Sequence, residues 1–243
     1  MTLIAAGAVV TPDGVLRPGW VDTQGNRILA VGAGAPPRPA DHDFADAVVV
    51  PGFVDIHVHG GGGASYTEPS ADEIHRAATF HRSHGTTTTL ASLVTAPPAP
   101  LLTQVRALAA ASRAGVIAGI HLEGPYIAPA RKGTHDAAKF RVPGADEIAM
   151  ATSLDNGVTL LTLAPEQVPA DTIRTMVARG AIVFAGHTAG TYEQILAGIE
   201  AGVSGFTHLY NAMSPLQGRE PGAVGAALED DGCWCGVIVD GVH

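Results

Sequence analysis

Cysteine is scarce in this chain: its 243 residues include only Cys233 and Cys235. The two stand two positions apart in an apolar, strand-like stretch, and alternate residues of one strand do not readily bridge each other. This spacing argues against a disulfide-stabilised secreted domain. We expect both to be reduced core residues of a cytoplasmic protein.

Positive charge and long apolar runs are lacking as well. Only 14 lysines and arginines stand against 23 acidic residues, so the sequence offers no basic surface for nucleic acid or an anionic membrane. The apolar N-terminus has no basic region and runs into turn residues 11–14, which argues against a secretion signal. No apolar run approaches membrane-spanning length. We therefore expect a small molecule as the partner.

The chain has enough apolar residues, 46%, for a sizeable core. Residues 1–47 have short apolar runs separated by turn sequences and end in a Pro/Ala-rich connector, which predicts β-hairpins. From Val48 onward, apolar runs alternate with helical stretches, as is typical of βα units around a parallel sheet. The predicted fold class is α/β: an incomplete (β/α)8 TIM barrel at 48–243 after a small N-terminal β appendage at 1–47.

This alternation predicts seven barrel strands and five helices. The strands are Val48–His59, Thr86–Val94, Val116–Gly124, Gly157–Pro165, Ala181–His187, Gly205–Asn211 and Cys235–Gly241. The helices are Ser70–Ser83, Pro98–Arg113, Ala145–Leu154, Pro169–Arg179 and Thr191–Ala201. A complete barrel has eight strands in about 250 residues. We therefore expect the chain to be truncated, without its last barrel strand.

A His-x-His pair ends the first predicted barrel strand. The period of two puts Asp55, His57 and His59 on one face, directly before the glycines 60–63. Barrel active sites are built at the carboxyl ends of the strands. Later strand ends supply the further candidates Glu123, His187 and His208. Imidazoles and a carboxylate converging there are typical ligands of catalytic zinc, iron or manganese.

Each histidine taken alone is equally compatible with a strand cap that bonds to the backbone. Four strand ends together favour a metal site. His121 shares the face of Glu123 and is interpreted as a core residue or a support for the ligands, with a ligand role as the alternative. The helix histidines His75, His81 and His84 are expected at the surface.

The ordered motifs of residues 48–243 resemble those of the N-acetylglucosamine-6-phosphate deacetylases. The matching segments are Pro51–Gly60 (PGFVDIHVHG), His121–Tyr126 (HLEGPY), Lys132–His135 (KGTH), Thr162–Glu166 (TLAPE), Gly186–Thr188 (GHT), Thr207–Met213 (THLYNAM) and Val239–His243 (VDGVH). Any one segment is generic to amidohydrolases, whereas the HLEGP, KGTH and THLYNAM series is much more specific.

The resemblance implies a metal-dependent hydrolase that converts N-acetyl-D-glucosamine 6-phosphate to D-glucosamine 6-phosphate and acetate in amino-sugar catabolism. It makes Glu123, His187 and His208 principal ligands, with His57 and His59 able to hold a second ion. One or two divalent ions are expected, with zinc, iron, manganese and cobalt all possible. The expected substrate-binding residues are His135, Asn211, Ala212, Arg219 and His243, with Arg219 on the phosphate.

The family's general acid and base is an Asp after the eighth strand, which we expect beyond residue 243, so residues 1–243 alone are predicted to be inactive. A homodimer is expected of the full-length protein. Two other readings stay open: an amidohydrolase acting on a cyclic amide or another N-acyl substrate, and a non-catalytic barrel that binds a sugar phosphate.

Overall fold

A computed structural model describes residues 1–242. The chain divides into two compact units, Met1–Phe53 and Val54–His243. Within the described residues, no helix is both long enough and apolar enough to cross a membrane.

The first unit is a five-stranded sheet of hairpins. Its strands are β1 Thr2–Thr11, β2 Gly14–Leu16, β3 Gly19–Gln24, β4 Arg27–Ala33 and β5 His42–Val49. The order is β2-β1-β3-β4, and β5 pairs with β1 in parallel. Two-residue turns join β1 to β2 and β3 to β4. Gly25 in the second turn and Gly14 directly after the first have positive φ. These pairings confirm the predicted β appendage.

The second unit contains the parallel sheet. Its strands are β6 Phe53–Val58, the short hairpin β7 Gly60–Gly61 and β8 Ala64–Ser65, then β9 Thr86–Leu93, β10 Gly119–Glu123, β11 Val158–Leu163, β12 Ile182–Ala185, β13 Val203–Phe206 and β14 Trp234–Cys235. The helices are α1 Ala71–Ser83, α2 Pro98–Arg113, α3 Ala145–Ala151, α4 Ala170–Ala178, α5 Tyr192–Glu200 and α6 Gly222–Glu229.

Seven of these strands form one sheet in the order β14-β13-β12-β11-β10-β9-β6, which is the chain order in reverse. The pairings from β9 to β14 are all parallel. Helices connect successive strands, and their apolar faces share one core with the outward faces of the strands. The arrangement confirms the predicted incomplete (β/α) barrel.

Local sequence signals account for the helix ends. Pro98 begins α2, and Thr191 caps α5 in a reciprocal capping box with Gln194. Gly180 and Gly202, just beyond α4 and α5, have φ of 90° and 112°, which a residue with a side chain rarely adopts.

Three predicted features need correction. The run Val48–His59 is not one strand, because Pro51 and Gly52 separate β5 from β6. The seventh barrel strand is only Trp234–Cys235 and not Cys235–Gly241. Cys233 and Cys235 are free thiols as expected, but only Cys233 contacts the core, where it is half-buried, and Cys235 is exposed.

Helix α6 was not predicted. Its sequence, GAVGAALE, is buried over its first six residues, so it has almost no polar face to show a helical period.

Candidate metal centre

Glu123 is the centre of a cluster of histidines at the carboxyl ends of the barrel strands. It closes β10, and its side chain is 6% exposed. Five imidazole Nε2 atoms lie around its two oxygens: His57 at 3.3 Å, His59 at 3.2 Å, His135 at 3.4 Å, His187 at 3.2 Å and His208 at 3.3 Å. Glu123 with His57 and His59, and Glu123 with His135 and His187, are compact enough to hold a metal ion.

In three of these histidines, the hydrogen-bond partner of Nδ1 determines which ring nitrogen carries the proton. In each, Nδ1 faces a main-chain oxygen: His59 that of Ser92 at 3.2 Å, His187 that of Arg131 at 2.7 Å and His208 that of Asn211 at 3.1 Å. Because a carbonyl oxygen only accepts, Nδ1 carries the proton of the neutral ring and Nε2 presents a lone pair.

These lone pairs converge. The Nε2 atoms of His187 and His208 are 3.1 Å apart, and both face the Glu123 carboxylate. Lone pairs directed at one another and at an anion repel unless a cation lies among them. The donor set, imidazole nitrogens with one carboxylate, therefore fits a divalent transition metal, and the carbonyls that orient the rings are the support such ligands require.

The histidines also control the charge of Glu123. Burial acts to raise the pKa of this carboxyl, but its contacts with the surrounding imidazoles, first of all that of His135, outweigh it and hold the pKa well below its usual range. Glu123 is thus a carboxylate at any physiological pH, as a ligand must be.

An unusual backbone turns two of the ligand candidates toward Glu123. His187 has a φ of 48° and His208 a φ of 37°. Phe184 faces the small cluster it forms with Leu90 and Leu160, so strand alternation would point His187 to the opposite face. The left-handed conformation turns the His187 ring back toward Glu123, and such a conformation costs about 1–3 kcal/mol per residue.

His135 lies against the same carboxylate but has the opposite tautomer. Thr95 N donates to its Nδ1 at 3.4 Å, and Thr95 Oγ1 is 2.8 Å from the same atom. An accepting Nδ1 leaves the proton on Nε2, which faces Glu123. Proximity alone groups His135 with the ligands, whereas its proton makes it a hydrogen-bond donor at the site.

Two supporting residues escaped the sequence analysis. Glu166 accepts from Thr188 Oγ1 at 2.5 Å and from Ala189 N at 2.7 Å, so it fixes the loop that follows His187. His81 contacts Gly60 O through Nε2 at 2.9 Å and is half-buried, which corrects its expected surface position. Glu166 lies within a motif segment, but no local pattern marks either contact.

The remaining predicted substrate residues lie as follows. Asn211 and Ala212 are half-buried in the turn after His208, and Ala212 has a φ of 49°. Arg219 is exposed in the turn between Gln217 and Glu220, where Gln217 N donates to Glu220 O at 3.1 Å. Among residues 1–242 it has no hydrogen-bond or ion-pair partner. His243 lies outside the described residues.

Comparison with known proteins gives consistent matches. Residues 48–243 match the amidohydrolase family. The structure of an N-acetyl-D-glucosamine-6-phosphate deacetylase from Mycobacterium smegmatis is 46% identical with a TM-score of 0.95, covering 100% of this chain and 70% of its own. A mutant of that enzyme, in complex with N-acetyl-D-glucosamine 6-phosphate, has the same identity and TM-score, and 64% of its chain is covered.

The N-acetylgalactosamine-6-phosphate deacetylase of Shewanella sp. (strain ANA-3) is 42% identical over 203 residues, which are 82% of this chain and 52% of the relative. The chain thus spans about half the length of that curated relative.

Proposed function

This chain belongs to the amidohydrolase family, and from that premise we propose that the whole protein hydrolyses the acetamide of N-acetyl-D-glucosamine 6-phosphate to D-glucosamine 6-phosphate and acetate. The observation that carries the proposal is the convergence of five imidazoles on the buried Glu123 carboxylate at the carboxyl ends of a parallel sheet. The sugar phosphate bound by the mycobacterial relative supports the choice of substrate.

We assign the metal to His57, His59, Glu123, His187 and His208, as one or two divalent ions of zinc, iron, manganese or cobalt. When bound, such an ion supplies Lewis acidity toward an amide carbonyl and a nucleophilic water. The chain contributes orientation, because main-chain carbonyls fix the rings of His59, His187 and His208 with Nε2 free for a metal.

Three groups are suited to the sugar phosphate. His135, which lies against the Glu123 carboxylate, is placed to contact a sugar bound beside the metal cluster. The exposed guanidinium of Arg219 suits the phosphate, which it can bind with two parallel charge-assisted bonds. Asn211, the backbone at Ala212 and His243 complete the proposed set.

A second candidate substrate is N-acetyl-D-galactosamine 6-phosphate, which differs only in the configuration at C4. A relative named for that substrate matches this chain at 42% identity, nearly as high as the mycobacterial enzyme. The metal chemistry would be the same for both sugars.

Acetate release by the metal-loaded whole protein tests the proposal. We expect turnover of one or both sugar phosphates, with the glucosamine epimer preferred, and little turnover of N-acetylglucosamine without phosphate. Arg219→Gln should raise KM for the phosphorylated sugar only, whereas Arg174→Gln, an exposed arginine of α4, should not. Hydrolysis of cyclic amides with none of amino sugars would refute the proposal, as would a protein that binds the sugar phosphate without turnover.

A further inference from the structure

A row of buried hydrogen bonds runs from strand to strand beside the metal cluster. Val58 N donates to Ser92 Oγ at 2.9 Å, Ser92 Oγ lies 2.8 Å from His121 Nδ1, His121 Nε2 lies 2.7 Å from Thr162 Oγ1, and Thr162 Oγ1 lies 2.6 Å from Thr207 Oγ1. Ser92, His121 and Thr162 are 0% exposed and Thr207 is 4% exposed. We call these four side chains the polar row.

The polar row has a direction. Since Ser92 Oγ already accepts the Val58 amide proton, its own proton is free to go to His121 Nδ1. His121 then carries its proton on Nε2 and donates to Thr162, which donates to Thr207. The reverse order would leave the hydroxyl proton of fully buried Ser92 without an acceptor among residues 1–242. Both ring nitrogens of His121 are thus occupied, so neither is free for a metal.

The row contacts one half of the cluster directly. Val58 N lies between His57 and His59, and Ser92 O also faces His59 Nδ1 at 3.2 Å. The ring of His121 meets that of His57 edge to face, with centroids 4.5 Å apart at 81°. The rings of His187 and His208 are oriented instead by Arg131 O and Asn211 O, outside the row.

We infer that His121 is a positioning residue for the His57–His59 half of the cluster, acting through the polar row. An ion held by His57, His59 and Glu123 depends on the row, whereas an ion held by Glu123, His187 and His208 does not. The inference rests on the proposed metal site. It adds that His121 determines the affinity for the ion held by His57, His59 and Glu123. Burial lowers the pKa of His121, which agrees with a neutral ring.

Metal titration of the whole protein separates the two halves. Zinc is added to metal-free protein in competition with a chromophoric chelator, and the bound ions are counted by mass spectrometry. Ser92→Ala removes the hydroxyl between Val58 N and His121, and Thr162→Val removes the acceptor of His121 while keeping the shape of the side chain. We expect each variant to weaken the zinc affinity of the site that includes His57 and His59 roughly 10- to 100-fold, and to leave the affinity of the other site unchanged.

Thr159→Val is the matched control for Thr162→Val, because Thr159 is also a buried threonine of β11 but is not part of the polar row. It should leave both affinities unchanged. If Ser92→Ala does not fold, Thr162→Val carries the test. A wild-type protein that takes up one ion only, or variants that lose both affinities equally or neither, would overturn the inference. Two intact affinities in the wild type without acetate release would count against the proposed function and leave the positioning role standing.

Discussion

Replacing Gly119 with alanine probes how closely the strand that carries Glu123 is packed. Gly119 begins β10 and pairs with Val158 of β11. An added Cβ would lie 2.0 Å from Val158 O and 2.6 Å from Val158 N, which are main-chain atoms that cannot rotate away. The two strands would have to separate by about 1 Å or more to reach ordinary contact.

The expected cost follows from that overlap. Overpacking costs about 1–3 kcal/mol, and weakening the bond from Val158 N to Ala118 O, now 3.0 Å, adds about 1 kcal/mol. A loss of about 2–4 kcal/mol lowers Tm by roughly 5–15 °C in a chain of this size. Thermal unfolding followed by circular dichroism measures the shift.

The matched control is Gly218→Ala, since no atom lies within 4 Å of a Cβ added there. Its stability should stay within about 0.5 kcal/mol of wild type. Equal melting temperatures for the Gly119 and Gly218 variants would refute the steric reasoning.

Three further outcomes are expected. Glu166→Gln should cost about 1.5–3 kcal/mol in urea unfolding, because the carboxylate accepts from Thr188 and Ala189; an unchanged midpoint would contradict this. Compared with protein in free divalent metal at 100 times Kd, chelated protein should lose about 2.7 kcal/mol of its free energy of unfolding, so its Tm should fall and should recover when metal is returned. A Tm that does not respond to the chelator would count against a cation among the histidines. In the Met1–Phe53 unit, a bond from Leu3 N and the Arg38 partner hold the pKa of Asp41 below its usual value. The stabilisation from ionised Asp41 is therefore full above the usual pKa of about 4 and lost as pH falls through the folded pKa. In Asp41→Asn, the free energy of unfolding should therefore depend less on pH between about pH 6 and 2 than it does in the wild type.

The barrel could be predicted because its signals are local. The period of two in the strands and the proline, threonine and glycine positions at helix ends are all visible in sequence. For α6 the signal was missing, because the helix has almost no polar face. The break at Pro51–Gly52 does carry a turn signal, but the apolar residues on both sides of it favoured one continuous strand.

The candidate site was predictable in membership but not in conformation. His57, His59 and Glu123 follow from strand alternation and from their place at strand ends. His187 and His208 reach Glu123 through left-handed backbone, which alternation cannot show. The tautomers that separate His135 from the other imidazoles depend on Thr95 and on main-chain oxygens distant in sequence. The homodimer and the cytoplasmic location stay predictions.

The main-chain oxygens of Ser92, Arg131 and Asn211 also bear on how this protein can evolve. No point substitution deletes a carbonyl, so the side chain of Arg131 is free to change while the His187 ring that its carbonyl orients keeps its chemistry. Substitutions that harm the site should instead be those of the histidines themselves and of glycines packed against them. Gly133 is one such glycine, because a Cβ added there would lie 3.2 Å from the His187 ring. Natural variants of this protein should therefore vary freely at Arg131 while Gly133 stays invariant.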